Sequence, residues 1–89
     1  EVRLDMAEAF QRVGDFKLAV HMLNGLHKDS PHFAALPAAY LMAARLLTTE
    51  LGMPHKALAL VQFLHGRYRN HRSFPDIQKM LTELQGSAG

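Results

Sequence analysis

Apolar positions along the chain recur at three- and four-residue steps and nowhere alternate with a period of two. Val2, Met6, Ala9, Phe10 and Val13 form the first such run and predict a helix over residues 2–13. Gly14 ends it, as a residue that accepts the left-handed backbone just past a helix end. Asp15 follows as the N-cap of a second helix reaching about Lys28, with Ala19, Leu23 and Leu26 in one stripe and Phe16, Val20 and Met22 beside it. The stretch HKDSPH breaks the pattern, and Pro31 supplies the stop. A third helix starts near Pro37, a residue suited to a first turn, and runs to Leu51. Ala38, Ala39, Tyr40, Leu41, Met42, Ala43, Ala44, Leu46 and Leu47 leave it no polar face, which predicts a central helix packed on several sides. Gly52 closes it and Pro54 opens a fourth, with Ala57, Leu60, Val61, Leu64 and Tyr68 as its stripe. Ser73 then caps a fifth that starts near Pro75 and turns Ile77, Met80, Leu81 and Leu84 inward, before a flexible tail over 86–89. The expectation is an all-α fold of about five helices.

One phrase is written twice. GDFKLAV occupies residues 14–20 and GMPHKAL residues 52–58, so Gly14 and Gly52 stand 38 residues apart, as do Ala19 and Ala57. Each copy reads as the turn between two antiparallel helices and the start of the second. Glycine makes the turn, a cap or proline restarts the chain, and a small alanine lets the paired helices approach. A supersecondary unit recurring at this spacing is the mark of a helical solenoid.

These residues resemble the tetratricopeptide repeat. In the first copy Phe10 stands at the family's aromatic position, Gly14, Asp15 and Phe16 at its turn, Ala19 at its small site, and Pro31 closes the unit. LGMPHKALALVQFLHGRY supplies the second copy. The resemblance covers about residues 1–71 and implies a single domain over 1–85, with repeat one at about 1–33, repeat two at about 38–71 and a capping helix at about 75–85. Antiparallel helix pairs would stack as a short right-handed solenoid. The family's early tryptophan has no counterpart, its small residue in the first helix is Ala7 in one copy but Arg45 in the other, and Arg69 stands where a second proline is due. The 38-residue spacing exceeds the usual 34, with the extra residues in HFAAL, a longer connection that looks like bacterial envelope-associated members. The alternative is an unrelated five-helix bundle with two similar turns. Two repeats and a cap also fall below the three or more that solenoids usually need, so either further repeats precede Glu1 or the domain gains burial by self-association.

In that family the first helices of successive repeats line a concave groove. By position the groove here would present Leu4, Glu8, Gln11 and Arg12, then Met42, Leu46, Thr49 and Glu50. The Lys and Asn clamp of the chaperone-binding members is absent. A mixed groove with Met42 and Leu46 suits an apolar or amphipathic helix from another protein. The competing reading makes those two residues core.

Composition narrows the chemistry. Eighty-nine residues form one small domain, which buries only about 60–65% of the surface its unfolded chain exposes. The formal charge of +2 is too weak to imply nucleic acid. Without cysteine there is no disulfide, thiolate zinc site or cysteine nucleophile. His21, His27, His32, His55, His65 and His71 contain no His-x3-His pair, and zinc wants three or four converging ligands, so neither metal nor cofactor is expected. Ser30, Ser73 and Ser87 lie in a loop, at a cap and in the tail, and no nucleophile elbow or phosphate loop is present. Catalysis is not expected. HGRYRNHR gathers Arg67, Arg69 and Arg72 around Tyr68, a minor candidate for nucleic acid through phosphate contacts and one stacking ring. The plainer reading is that cations complement a helix C-terminus.

The longest apolar run, residues 33–44, has 12 residues and a proline, short of the roughly 20 that cross a bilayer. No signal peptide is visible. Because the chain opens at Glu1 in a helical pattern, it reads as a domain excised from something longer. A cytoplasmic setting is the default, with a membrane-tethered or envelope-associated parent as the alternative. The functional expectation is a non-catalytic module that binds another protein, with self-association as runner-up and nucleic-acid binding third.

Overall fold

Gly14 (φ 83°) and Gly52 (φ 63°) both adopt the left-handed backbone, and each sits where one helix hands over to the next. The structure, a computed structural model, describes residues 2–30 and 32–88, with side chains as far as Gly86. Six helical segments follow in order: α1 (Val2–Arg12), α2 (Phe16–Asn24), α3 (Leu26–Asp29), α4 (Leu36–Thr49), α5 (Pro54–Arg67) and α6 (Phe74–Ala88). No strand occurs among the described residues. Helix α1 packs on α2, α2 on α4, α4 on α5 and α5 on α6, with a lighter contact between α4 and α6. The shortest dimension is 17 Å. Helix axes about 10 Å apart, each with a Cα cylinder of about 2.3 Å radius, fill that thickness with two layers and leave no room for a third.

The two turns are related but not identical. At the first, the Gly14 N–H donates to the Gln11 carbonyl (3.1 Å) and the Asp15 N–H to the Phe10 carbonyl (2.9 Å). That pair of bonds is a Schellman closure. At the second, the Met53 N–H reaches one residue further back, to the Leu47 carbonyl at 2.7 Å. A Cβ on either glycine would meet nothing within 4 Å, so backbone angle rather than space selects glycine at both. The Asp15 carboxylate accepts from the Leu18 N–H, capping α2, while Pro54 starts α5. Ala19 and Ala57 each have no exposed surface.

Helix α4 is the centre. Eight of its 14 residues are buried and fill one half of its circumference, where α2 and α5 pack, while Ala38, Leu41, Met42, Arg45, Thr48 and Thr49 face the other way. Tyr40, 1% exposed, is the largest of its fully buried side chains.

The second helix does not continue to Lys28 as the periodicity predicts. It stops at Asn24, turns at Gly25 and resumes as the single turn α3. The cause is Tyr40. Its hydroxyl accepts from the His27 N–H at 2.9 Å, contacts His27 Nδ1 and lies 3.4 Å from the Asn24 carbonyl. Helix α3 has no side-chain cap of its own, so a residue on α4 serves one of its free N–H groups. The rings of His27, Tyr40 and Phe63 lie within 5.3–6.3 Å of one another and tie α3, α4 and α5 together. Arg3 adds a second stitch, bonding the Asp29 carboxylate and the Met22 carbonyl from α1.

Two further expectations change. Helix α1 buries Ala7 rather than its apolar run: Val2, Met6 and Val13 are 71%, 44% and 78% exposed, while Leu4 and Phe10 are half-buried. The Ala7 methyl is too small to hold a neighbouring helix away, so α1 can pack closely on that side. Residues 86–88 continue α6 where a tail was expected, because Leu81 and Leu84 are buried and carry the stripe to the helix end. Ser73 precedes α6 and its carbonyl accepts from the Ile77 N–H. Glu1, Pro31 and Gly89 lie outside the described residues, so the stop at Pro31 does too.

Replacing Ala19 or Ala57 by Phe should overpack a closed site and cost about 1–3 kcal/mol in denaturant melts. Unchanged melts for both would sink the helix-pair register. The two tyrosines should behave oppositely. Tyr40→Phe strands the His27 N–H and should cost about 1–3 kcal/mol, whereas the Tyr68 hydroxyl is buried without a hydrogen-bond partner among the described residues, so Tyr68→Phe should be neutral or slightly stabilising. Burial raises the pKa of the Tyr40 hydroxyl above its ordinary 10.0, with the His27 hydrogen bond opposing. A proton held more tightly in the folded state gives stability that is complete below about pH 10 and is lost as pH rises toward the raised folded value. The gap between wild type and Tyr40→Phe should therefore narrow above pH 10, measured by urea melts across that range.

Candidate functional site

Because α5 lies between α4 and α6, these two helices touch lightly and leave a cleft above α5. Its lining comes from one layer: Gln11 of α1, Ala38, Leu41, Met42 and Arg45 of α4, and Asp76, Lys79, Met80 and Glu83 of α6. The cleft has a volume of about 500 Å³. A shallower hollow continues it toward the end of α4, sharing Arg45, Met80 and Glu83 and adding Thr48, Thr49 and Leu84. The floor is thus two methionines and a leucine, and the walls carry two cations and two carboxylates. Methionine is flexible and polarisable, so such a floor adapts to different apolar shapes. None of Arg45, Lys79, Asp76 and Glu83 is in a salt bridge among the described residues, where the ion pair is Arg3 with Asp29.

The eight residues placed in a groove by sequence separate here. Gln11 and Met42 line the cleft, and Thr49 lines its extension. Leu46 is 5% exposed and belongs to the core, a correction that follows from its place on the buried half of α4. Leu4 is half-buried against the core. Glu8 and Arg12 are exposed on α1 outside the cleft, and Glu50 is the exposed C-cap of α4. The α6 contribution was missed, since that helix reads as a solvating cap. Its signal was present: Asp76, Lys79, Met80 and Glu83 recur at three- and four-residue steps beside the buried stripe.

On the opposite face a second hollow of about 320 Å³ lies between α2 and α5, over the end of α4. Val20, Leu47, Leu51, Met53 and Leu60 line it, with Lys17, His21 and Lys56 at its rim.

Arg67 ends α5, and Arg69 and Arg72 follow in the connection to α6; all three are exposed and none lines a hollow described above. Tyr68 packs against the core with its ring edge-on to His71, so it is not presented as a stacking face. The Arg67 guanidinium sits 6.0 Å from the Tyr68 ring centre. The histidines are dispersed: His65 meets Gln78, His71 Nδ1 accepts from the Ser73 N–H, and His27 meets Tyr40. Among the described residues no three His, Cys, Asp or Glu side chains converge on a common point, and no helix is long and apolar enough to cross a membrane.

Comparison with protein-family models, with curated proteins and with solved structures finds no match, so the likeness to the tetratricopeptide repeat rests on the residues and helix order of the chain itself.

Proposed function

We propose that this chain is a non-catalytic interaction module of tetratricopeptide-like architecture, which holds a helix of another protein in the cleft between α1, α4 and α6. The observation that carries the reading is the cleft's composition: an apolar floor of Leu41, Met42 and Met80 walled by four charges that form no salt bridge among the described residues. An amphipathic helix would bury its apolar stripe on the methionines and set charges of both signs against Arg45, Lys79, Asp76 and Glu83. The architectural half of the proposal is supported by the packing order, in which helices meet chiefly their neighbours in the series, and by the two left-handed glycine turns 38 residues apart. Arg67, Arg69 and Arg72 stand apart from the cleft and take no part in this binding.

A photo-cross-linking residue at position 42 should trap a partner protein, whereas one at position 69 should not. Burying one apolar partner side chain contributes about 1.5–3 kcal/mol, so Met42→Ser should weaken that partner's binding roughly tenfold or more. Its helical circular dichroism should stay near normal, because Met42 is only half-buried. Leu46→Ala, by contrast, should lower stability by about 2–5 kcal/mol. Trapping from position 69 but not 42, or full affinity in a folded Met42→Ser variant, would remove the cleft as the binding site.

A further inference from the structure

Helix α1 has a second apolar side that the rest of the chain does not use. Val2, Met6, Ala9 and Val13 are all exposed there. Their steps of four, three and four are those of alternating d and a positions in a heptad. On that assignment the buried Ala7 falls at b and Gln11 at f, round the helix from the seam. Asp5 and Arg12, both exposed, fall one heptad apart at g, on the same flank of the seam with opposite charge.

We propose that this seam is a self-recognition surface, on which α1 pairs antiparallel with α1 of a second copy about a twofold axis. Centring the pair between Ala7 and Glu8 sets Met6 against Ala9 of the copy and Val2 against Val13 of the copy. In an antiparallel pair each g flank faces the other g flank. Asp5 then meets Arg12 of the copy, offset by about 3 Å along the axis, and the symmetry makes the contact twice. A parallel pair would set g against e, facing Asp5 with Phe10 and leaving Arg12 no carboxylate. The charge pattern therefore selects the antiparallel arrangement, and a second copy already carries the complement.

The other end of the molecule carries none. Gln78, Thr82 and Gln85 of α6 are exposed and polar, so a head-to-tail stack finds no apolar surface and the pairing closes at two. Leu18 of α2, 40% exposed, widens the seam. It lies one turn from Met22, whose carbonyl binds Arg3 of α1. Helix α1 is only about 16 Å long, and a contact of that length falls short of the roughly 1,200 Å² that a stable dimer buries. The dimer is weak and depends on concentration.

Sedimentation velocity of the full chain from roughly 5 to 500 µM spans the affinities of such small interfaces. The sedimentation coefficient should rise across that range from the monomer value toward the dimer value. Met6→Glu should hold the chain monomeric throughout while its circular dichroism is unchanged. Asp5→Arg and Arg12→Asp should each weaken the dimer by about threefold or more, since each creates two like-charge contacts, and combining them should restore it. A chain monomeric at every concentration overturns the proposal. So does a dimer that survives Met6→Glu but is lost in Met42→Ser, which would place self-contact in the cleft. Dissociation by Met6→Glu without rescue by the double charge swap overturns the antiparallel pairing.

Discussion

One half of helix α4 is too apolar to face water. Leu36, Ala39, Tyr40, Ala43, Ala44, Leu46 and Leu47 span that half and are all nearly or fully excluded from solvent, while Ala38, Leu41, Met42, Arg45, Thr48 and Thr49 form the open half. Burial of each large apolar side chain in the first set is worth about 1.5–3 kcal/mol, so the chain gains only if helices are placed against that half of α4. Two-layer packing meets that demand: α2 and α5 cover α4 from the other layer, and α6 touches it lightly from within its own. The alanines of α4 let these neighbours come close, while Tyr40 is long enough to span to α3.

The cleft is a by-product of the same demand. Helix α5 must contact both α4 and α6, and two helices resting on a third cannot also close tightly on each other. Met42 and Met80 fill part of the gap, and the charges above them stay hydrated because no opposing wall covers them. At the other edge α1 packs chiefly on α2, and its far side is left to solvent. Both surfaces arise where the layers run out of partners.

The order of elements was legible because its signals are local. Glycine at 14 and 52, Asp15 as a cap, and prolines at 37 and 54 each act on their own turn of backbone. The break at Gly25 had a local signal in the Asn24-Gly25 pair, which the helix period outweighed, but the hydroxyl that holds the new turn lies 13 residues beyond His27. The buried side of α1 was misread for a related reason. Hydrophobicity favours Val2, Met6 and Val13, but close helix approach is decided by the smallest residue, and Ala7 wins. Leu46 and Met42 are one turn apart on the same helix, and only the position of α5 and α6 makes the first core and the second cleft. Charges on α6 could be counted from the sequence; the wall they face could not.

The hydroxyl of Tyr40 has a consequence for how the molecule opens. Four residues of α3 are far too few to hold a helix alone, since a first turn costs more order than its one bond returns. Helix α3 therefore exists only while α4 is docked. The His27 amide lies in a short surface segment and would ordinarily trade its proton with solvent during brief local fraying. Bound to a side chain from the central helix, it can exchange only when α3 separates from α4. A short surface turn is thus tied to the central helix, and its amide is a probe of whether α3 is docked on α4.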